Sequence, residues 1–307
     1  MAIDRGGGRM EFVGDVLSNA ASAAVLAVVA SALALVAAWT SRRGRVWKLF
    51  RVGTSSKSSV EVFVPSFDIA PASAAGTVPV QGGFVGTAVS ELEYREALGL
   101  ADALHANPAV RLLQAVGLPE RIVRRPLRCR VTASMPASKY AANRQAASDE
   151  IRNAVRRADC VILVGGPVYN STTDVALGQG PFAFGFHAGE QDGGLVRGVR
   201  IRPLHGNAER TFRRRAEPGA GGTHLEYAVL EAVDWDGRRV FLCAGTCEAA
   251  TVAAVRKLGQ DWRQLAKRFG TEGFGLVFEL ALDSEAMRHH GPDMGRLQQC
   301  YVYPPGR

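Results

Sequence analysis

The sequence predicts an α/β domain with three layers, a mainly parallel sheet and an added antiparallel hairpin, preceded by one membrane-spanning helix. Three stretches carry this expectation. Cys160–Val164 is a short apolar, β-branched run that follows a charged helix and stops at Gly165-Gly166-Pro167. Phe241–Ala244 ends in the same way, at Gly245-Thr246, and leads into a second helical pattern. Helix, buried strand, glycine turn and helix start is the order of elements in a parallel sheet covered on both faces. The third stretch, Ala20–Trp39, carries no charge and no proline.

Ala20–Trp39 has about the 20 residues that a helix needs to cross a bilayer. Trp39 and Trp47 stand where interfacial aromatic residues belong, and Arg42, Arg43, Arg45, Lys48 and Arg51 follow. The excess of cations on this side places residues 1–17 outside and the carboxy-terminal part in the cytoplasm, with the helix over 18–40 in the plasma (inner) membrane. Residues 41–59 are then a basic segment and linker whose cations suit anionic headgroups. The soluble domain is expected over 60–285 and a tail over 286–307.

Within that domain, Val60–Val64 reads as the first strand, ended by Pro65, with Ser66 and Asp68 just beyond it. The Pro/Gly-rich stretch 69–86 reads as a long loop. Glu91–Ala106 has helical periodicity, with Leu92, Ala97, Leu98, Ala101 and Leu104 on one side. Val131–Ala133 is a short strand, and 143–157 a helix that packs Ile151, Ala154, Val155 and Ala158 on the sheet. Phe182–Phe186 is strand-like, and 200–222 is an arginine-rich exposed loop. Leu225–Val233 and Arg239–Ala244 form a hairpin around Asp234-Trp235-Asp236-Gly237. Glu248–Leu258 is a helix extended or followed by Asp261–Phe269, and Leu276–Leu282 the last strand.

The formal charge of +8 suits anionic partners such as phospholipid or nucleotides. The cluster Arg121, Arg124, Arg125, Arg128 and Arg130 lacks the interleaved aromatics of a nucleic-acid surface, which leaves a solvated or lipid-facing role. Five scattered cysteines indicate a reducing compartment. Neither Cys243 and Cys247 nor the adjacent His289 and His290 have the spacing of a metal site. No GxxxxGK[ST] or complete GxGxxG is present, so neither a P-loop nor a dinucleotide fingerprint is indicated.

In parallel sheets ligands bind where strands end and helices begin. The candidate ligand-binding residues are therefore Gly165, Gly166, Pro167, Asn170 and Thr172 on one turn, with Gly245 and Thr246 opposite. Glycine lets main chain approach a ligand, and a helix start favours negative charge. Thr246 is expected to cap the helix that follows it. This points to a sensor or regulatory module that binds a small anionic, nucleotide-like ligand. A hydrolase or transferase acting at an N-glycosidic bond needs a carboxylate in the pocket; Glu226 and Glu248 are the candidates, with Asp174 a further one and His224 a neighbour of Glu226. A structural scaffold at the membrane is the remaining alternative.

Two resemblances add to this reading. Ala158-Asp159, Val161–Val164 and Pro167-Val168-Tyr169-Asn170-Ser171 resemble the AD-strand-PxYNxS segment of flavodoxin-like FMN reductases, whose main chain lines the flavin. That resemblance implies FMN as a cofactor and an oxidoreductase activity. It spans under a tenth of the chain. Pro65-Ser66-Phe67-Asp68 stands where that family has its serine-rich phosphate loop, and Thr173-Asp174 where it has a proline. The turn from Gly165 to Thr173, the Glu226-Tyr227 strand and the Ala244-Gly245 unit resemble uncharacterised bacterial membrane-anchored Rossmann-like proteins. This second resemblance covers most of the soluble part and implies a Rossmann-like fold.

Overall fold

The computed structural model describes residues 23–33, 37, 44–46, 48–52, 58–69, 86–105, 127–134, 144–167, 170–188, 191–192, 195–196, 199–204, 210–216, 223–283 and 297–303. The chain divides into two units: one contains 1–44 and 107–123, the other 45–106 and 124–307.

In the first unit residues 23–33 are helical. Val25, Leu26, Val28, Val29 and Leu33 are exposed there, and the Ser31 hydroxyl donates to the Ala27 carbonyl at 2.7 Å. Among the described residues no helix is long and apolar enough to cross a membrane. Much of the helix expected over 18–40 lies outside them, as do residues 1–17.

The second unit is a mixed α/β domain. Its large sheet begins with β1 (Ser59–Val64), continues through β4 (Arg128–Ala133) and β5 (Cys160–Val164), and is completed by β11 (Arg215–Ala216), β12 (Thr223–Trp235), β13 (Arg238–Gly245), β14 (Phe274–Asp283) and β15 (Leu297–Tyr303). The strand order is β15-β14-β12-β13-β5-β1-β4, with β11 added beside β12. β4, β1, β5 and β13 run parallel, with Val62 opposite both Val131 and Ile162, and Ile162 opposite Phe241. From β13 the sheet continues antiparallel through β12, β14 and β15. The antiparallel part is thus larger than the hairpin alone. Its turn is tight because Asp236 and Gly237 both adopt positive φ, 49° and 75°.

Among the described residues four helices cover the sheet: α1 (Glu91–His105), α2 (Arg144–Arg157), α3 (Ser171–Gln179) and α4 (Glu248–Phe269). α1 and α4 bury Ala97, Leu100, Leu104, Leu258 and Trp262 against Val62, Ile162, Leu230 and Phe241. α2 and α3 cover the other face, where Ile151, Val155 and Val175 meet Val161, Leu163 and Leu242. Alternate residues of β5 therefore enter opposite layers, which is why the strand reads as an unbroken apolar run. Smaller pieces complete the domain. β6 (Phe184–Ala188), β9 (Val199–Pro203) and β10 (Phe212–Arg213) form a three-stranded sheet, β2 (Ser66–Ile69) pairs with β3 (Gly86–Val89), and β7 (Gln191–Asp192) pairs with β8 (Leu195–Val196).

Several boundaries differ from expectation. Leu49 and Phe50 are fully buried, with the Phe50 ring 5.0 Å from that of Phe241. The folded domain thus starts before residue 60, and the Arg51 guanidinium bonds Asp234 at 2.7 Å and the Thr271 carbonyl at 2.9 Å. On α1, Leu98 is exposed while Leu100 and Glu93 are buried, because the helix presents to α4 a face rotated from the one chosen by counting leucines. The loop over 200–222 contains β9, β10 and β11, the helix after Thr246 is continuous to Phe269, and the expected tail contributes β15. Most of 69–86, the cluster at 121–125, and His289 and His290 lie outside the described residues.

Candidate functional site

The carboxyl ends of β5 and β13 are adjacent because these strands pair in parallel, Val164 opposite Cys243. The two glycine turns therefore meet. The Gly165 N–H donates to the Cys243 carbonyl at 2.9 Å. A Cβ added at Gly166 would lie 3.8 Å from the Gly245 carbonyl oxygen and 3.8 Å from the Phe186 ring. α3 leaves its turn toward one face of the sheet and α4 leaves toward the other. Helices that depart to opposite faces from neighbouring strands open a crevice between the strand ends.

The glycines have different reasons to be glycine. Gly165 has φ +90°, and a Cβ there would lie 3.1 Å from Pro65 at the end of β1. Gly245 has no room for a side chain, since a Cβ would come within 2.5 Å of the Ala250 Cβ and 2.6 Å of the Thr251 nitrogen. Gly245 lets α4 lie directly on the end of β13. Gly166 is under neither constraint, because its nearest neighbours are at ordinary van der Waals distance.

Asn170 is fully buried and caps α3. Its Oδ1 accepts the Thr173 N–H at 3.0 Å, and its Nδ2 donates to the Val164 carbonyl at 2.7 Å. One side chain thus ties the helix start to the end of β5. Thr172 donates to Glu150 of α2 at 3.0 Å, and Pro167 is half-buried at the rim. The polar side chains of this turn hold the turn itself, and Gly165, Gly166, Gly245 and the first residues of α3 are buried, so a ligand here would meet main chain and the start of α3. The hydroxyls of Thr173, on the first turn of α3, and of Ser134, just past β4, are buried without a hydrogen-bond partner among the described residues. Both belong to the carboxyl edge. Ser66, beyond β1, donates to the Ser134 carbonyl; the Asp68 side chain is outside the description.

Thr246 does not cap α4. Cys247 occupies that position, and its side chain makes no capping hydrogen bond. The Thr246 hydroxyl donates to Glu226 at 2.6 Å and accepts the Tyr227 N–H at 2.9 Å, fixing the end of β13 to β12. Glu226 is buried and pairs with Arg214 at 3.1 Å. Its carboxylate is already held by a hydroxyl and a guanidinium. His224 lies on β12 opposite Leu282, and Asp174 is half-buried on α3. Burial pushes the Cys247 thiol up to about 12, with the charge of Glu226 adding to this, so it is protonated and a poor nucleophile.

A second carboxylate group forms where α1 and α4 both begin. The Ser90 hydroxyl accepts the Glu93 N–H at 3.2 Å and donates to Glu248. Burial pushes Glu93 up to about 8, the charge of Glu248 raises it further, and a hydrogen bond from Thr251 opposes both. Glu93 is buried although it lies off the apolar stripe that the sequence shows on this helix. The signal for its position is the Ser90-x-x-Glu93 capping box. Among the described residues no group of His, Cys, Asp and Glu is arranged to hold a metal ion.

The structure thus brings Gly165, Gly166 and Gly245 together, gives Asn170 and Thr172 to the support of one turn and Thr246 to the support of the other, and places Glu226 and Glu248 in separate networks. Comparison of the chain with models of protein families, with curated proteins and with solved structures finds no match.

Proposed function

We propose that this chain is a membrane-anchored domain that binds a small anionic, nucleotide-like ligand between the Gly165–Asn170 turn and the Gly245 turn, as a sensor or regulatory module. One observation carries the reading: two strand-to-helix glycine turns lie side by side at the carboxyl edge of adjacent parallel strands, and Gly166 between them is under no packing or φ constraint. A glycine without a structural reason beside a helix start suits close approach of main chain to a phosphate. The Rossmann-like placement of helices on both faces, and the resemblance to bacterial Rossmann-like membrane proteins, support it. The anchor is Ala20–Trp39, with the domain in the cytoplasm. In its favour, 23–33 is helical with exposed apolar side chains and its serine bonded back to its own helix, a surface suited to lipid.

The test is equilibrium binding and thermal melting of the full chain in detergent with ATP, GTP, NAD and FMN. A ligand at about 100 times its Kd stabilises a domain by about 2.7 kcal/mol, a shift of about 5–10 °C at this size. No binding by any of the four overturns the proposal.

Flavin is the second reading, and strand order favours it. Taken in chain order, the parallel strands β1, β4, β5 and β13 stand in the sheet as second, first, third, fourth. That is the flavodoxin-like arrangement, in which FMN binds beside the first and third strands. Gly165 lies beside Pro65 at that position, where an added Cβ would come within 3.1 Å of the proline ring. Against it, β1 runs through Pro65 into β2 with no phosphate loop. Chain that stays colourless and takes up no FMN removes this reading.

A further inference from the structure

The opposite edge of the parallel strands carries a feature that the ligand reading does not use. β1, β4, β5 and β13 begin there, α2, α3 and α4 end there, and the Asp236–Gly237 turn lies there. Three acids of this edge are matched by arginines: Asp159 pairs with Arg238 at 2.9 Å, Asp234 with Arg51 at 2.7 Å, and Glu61 with Arg157 at 2.7 Å, while Asp236 and Glu272 are exposed there. Beyond these pairs the edge exposes Arg128, Arg152, Arg156, Lys267 and Arg268. Arg152 and Arg156, one turn apart on α2, line a groove of about 260 Å³ with Gln179 and the half-buried Trp235; Asp236 is the carboxylate on its rim. Two guanidiniums beside an indole suit a phosphate-bearing headgroup at a membrane interface.

The chain also enters the domain at this edge. Leu49 and Phe50 are buried in the core, and Arg51 is bonded to Asp234 and Thr271 beside the hairpin turn. Nine residues, Thr40–Lys48, separate Phe50's neighbour Leu49 from the apolar stretch ending at Trp39. Of these, 44–46 and 48 are helical.

We infer that this amino-terminal edge of the parallel strands is a docking surface for anionic lipid headgroups, with the Arg152–Arg156–Trp235 groove as its centre. The inference rests on the anchor proposed above. It turns the glycine crevice, at the other end of the strands, toward the cytoplasm. Arg51 takes no part, being committed to Asp234 and Thr271.

The experiment uses the full chain in vesicles of phosphatidylcholine alone and of phosphatidylcholine with an equal part of phosphatidylserine. Alkaline extraction reads the anchor, and amide exchange reads docking. Docking predicts slower exchange over 152–157 and 234–238 in the anionic vesicles alone, reversed by salt that shrinks the Debye length to about 3 Å. The double variant Arg152→Glu/Arg156→Glu, or Arg152→Gln/Arg156→Gln if the first melts early, lowers the docked fraction on the order of tenfold. Equal exchange in the two vesicles overturns docking, whether or not the chain resists extraction. Protection confined instead to the outer face of the β6-β9-β10 sheet, where Arg200 stands opposite Arg213, also overturns it. A chain that extracts freely yet shows the anionic protection overturns the anchor and leaves the docking surface standing.

Discussion

Replacing Gly166 and Gly245 separately by alanine divides binding from packing. At Gly245 the new Cβ would lie 2.5 Å from the Ala250 Cβ, 2.6 Å from the Thr251 nitrogen and 2.7 Å from the Ala250 carbonyl carbon. Two of these three atoms are backbone, so a rotamer change cannot relieve the clash and α4 has to move. Overpacking of this kind costs roughly 1–3 kcal/mol, a fall of about 2–12 °C in Tm for a domain of this size. At Gly166 the new Cβ would meet nothing closer than 3.8 Å, and the φ there is one that alanine accepts. Gly166→Ala therefore leaves Tm unchanged or raises stability by about 0.4–1 kcal/mol through the unfolded chain. The same methyl stands where a ligand's phosphate would approach the main chain. Nucleotide affinity should fall at least tenfold in Gly166→Ala, about 1.4 kcal/mol. Melting curves and equilibrium dialysis on the full-chain variants read both quantities. Gly245→Ala that melts like the parent refutes the packing argument. Gly166→Ala that binds like the parent shows that the ligand does not lie on this turn.

Asn170→Ala removes a buried cap and its bond to Val164 together, and should lower stability by about 1–3 kcal/mol by denaturant unfolding. Thr246→Val leaves the buried Tyr227 N–H and Glu226 without the hydroxyl; a loss of about 1–3 kcal/mol is expected, while Thr246→Ser stays close to the parent. Glu231 is buried on β12, accepts the Ala183 N–H and is pushed by burial from 4.5 up to about 8, the main-chain hydrogen bonds opposing. A carboxyl whose folded pKa is raised holds its proton more tightly when folded, so its contribution is full below pH 4.5 and fades as pH rises toward 8. Glu231→Gln should accordingly flatten the fall in Tm over that window, and an unchanged slope removes Glu231 as its cause. Phe50→Ala, beside Phe241, should cost about 3–5 kcal/mol, which a mere linker position would not.

The parallel half of the sheet was readable because both faces of β1, β5 and β13 are buried: β5 is an unbroken apolar run, β13 is one from Val240, and β1 is interrupted within Val60–Val64 only by Glu61, which pairs with Arg157. The hairpin was readable from Asp236-Gly237, where chemistry and turn type agree. What escaped notice was decided by tertiary partners. Leu49 and Phe50 sit among cations and read as juxtamembrane, yet their side chains fill the space beside Phe241. β15 shows no clear alternation because its burial depends on β14 beside it, and β9 to β11 are short arginine-rich strands that read as loop. At the site, Gly165, Gly166 and Gly245 could be found because a strand end followed by glycine has a local signature. The role of Thr246 could not. A threonine before a helix looks like a cap, and only the position of β12 shows that its hydroxyl serves Glu226 and Tyr227. Glu93 was hidden for the same reason, since its burial comes from α4, more than 150 positions away in the chain.

The most direct test of the central claim is amide exchange on the full chain with and without the nucleotide that binds most tightly. The account predicts slowed exchange concentrated in 165–174 and 245–248, at the carboxyl ends of β5 and β13. Protection centred elsewhere, or no binding by any nucleotide, contradicts it.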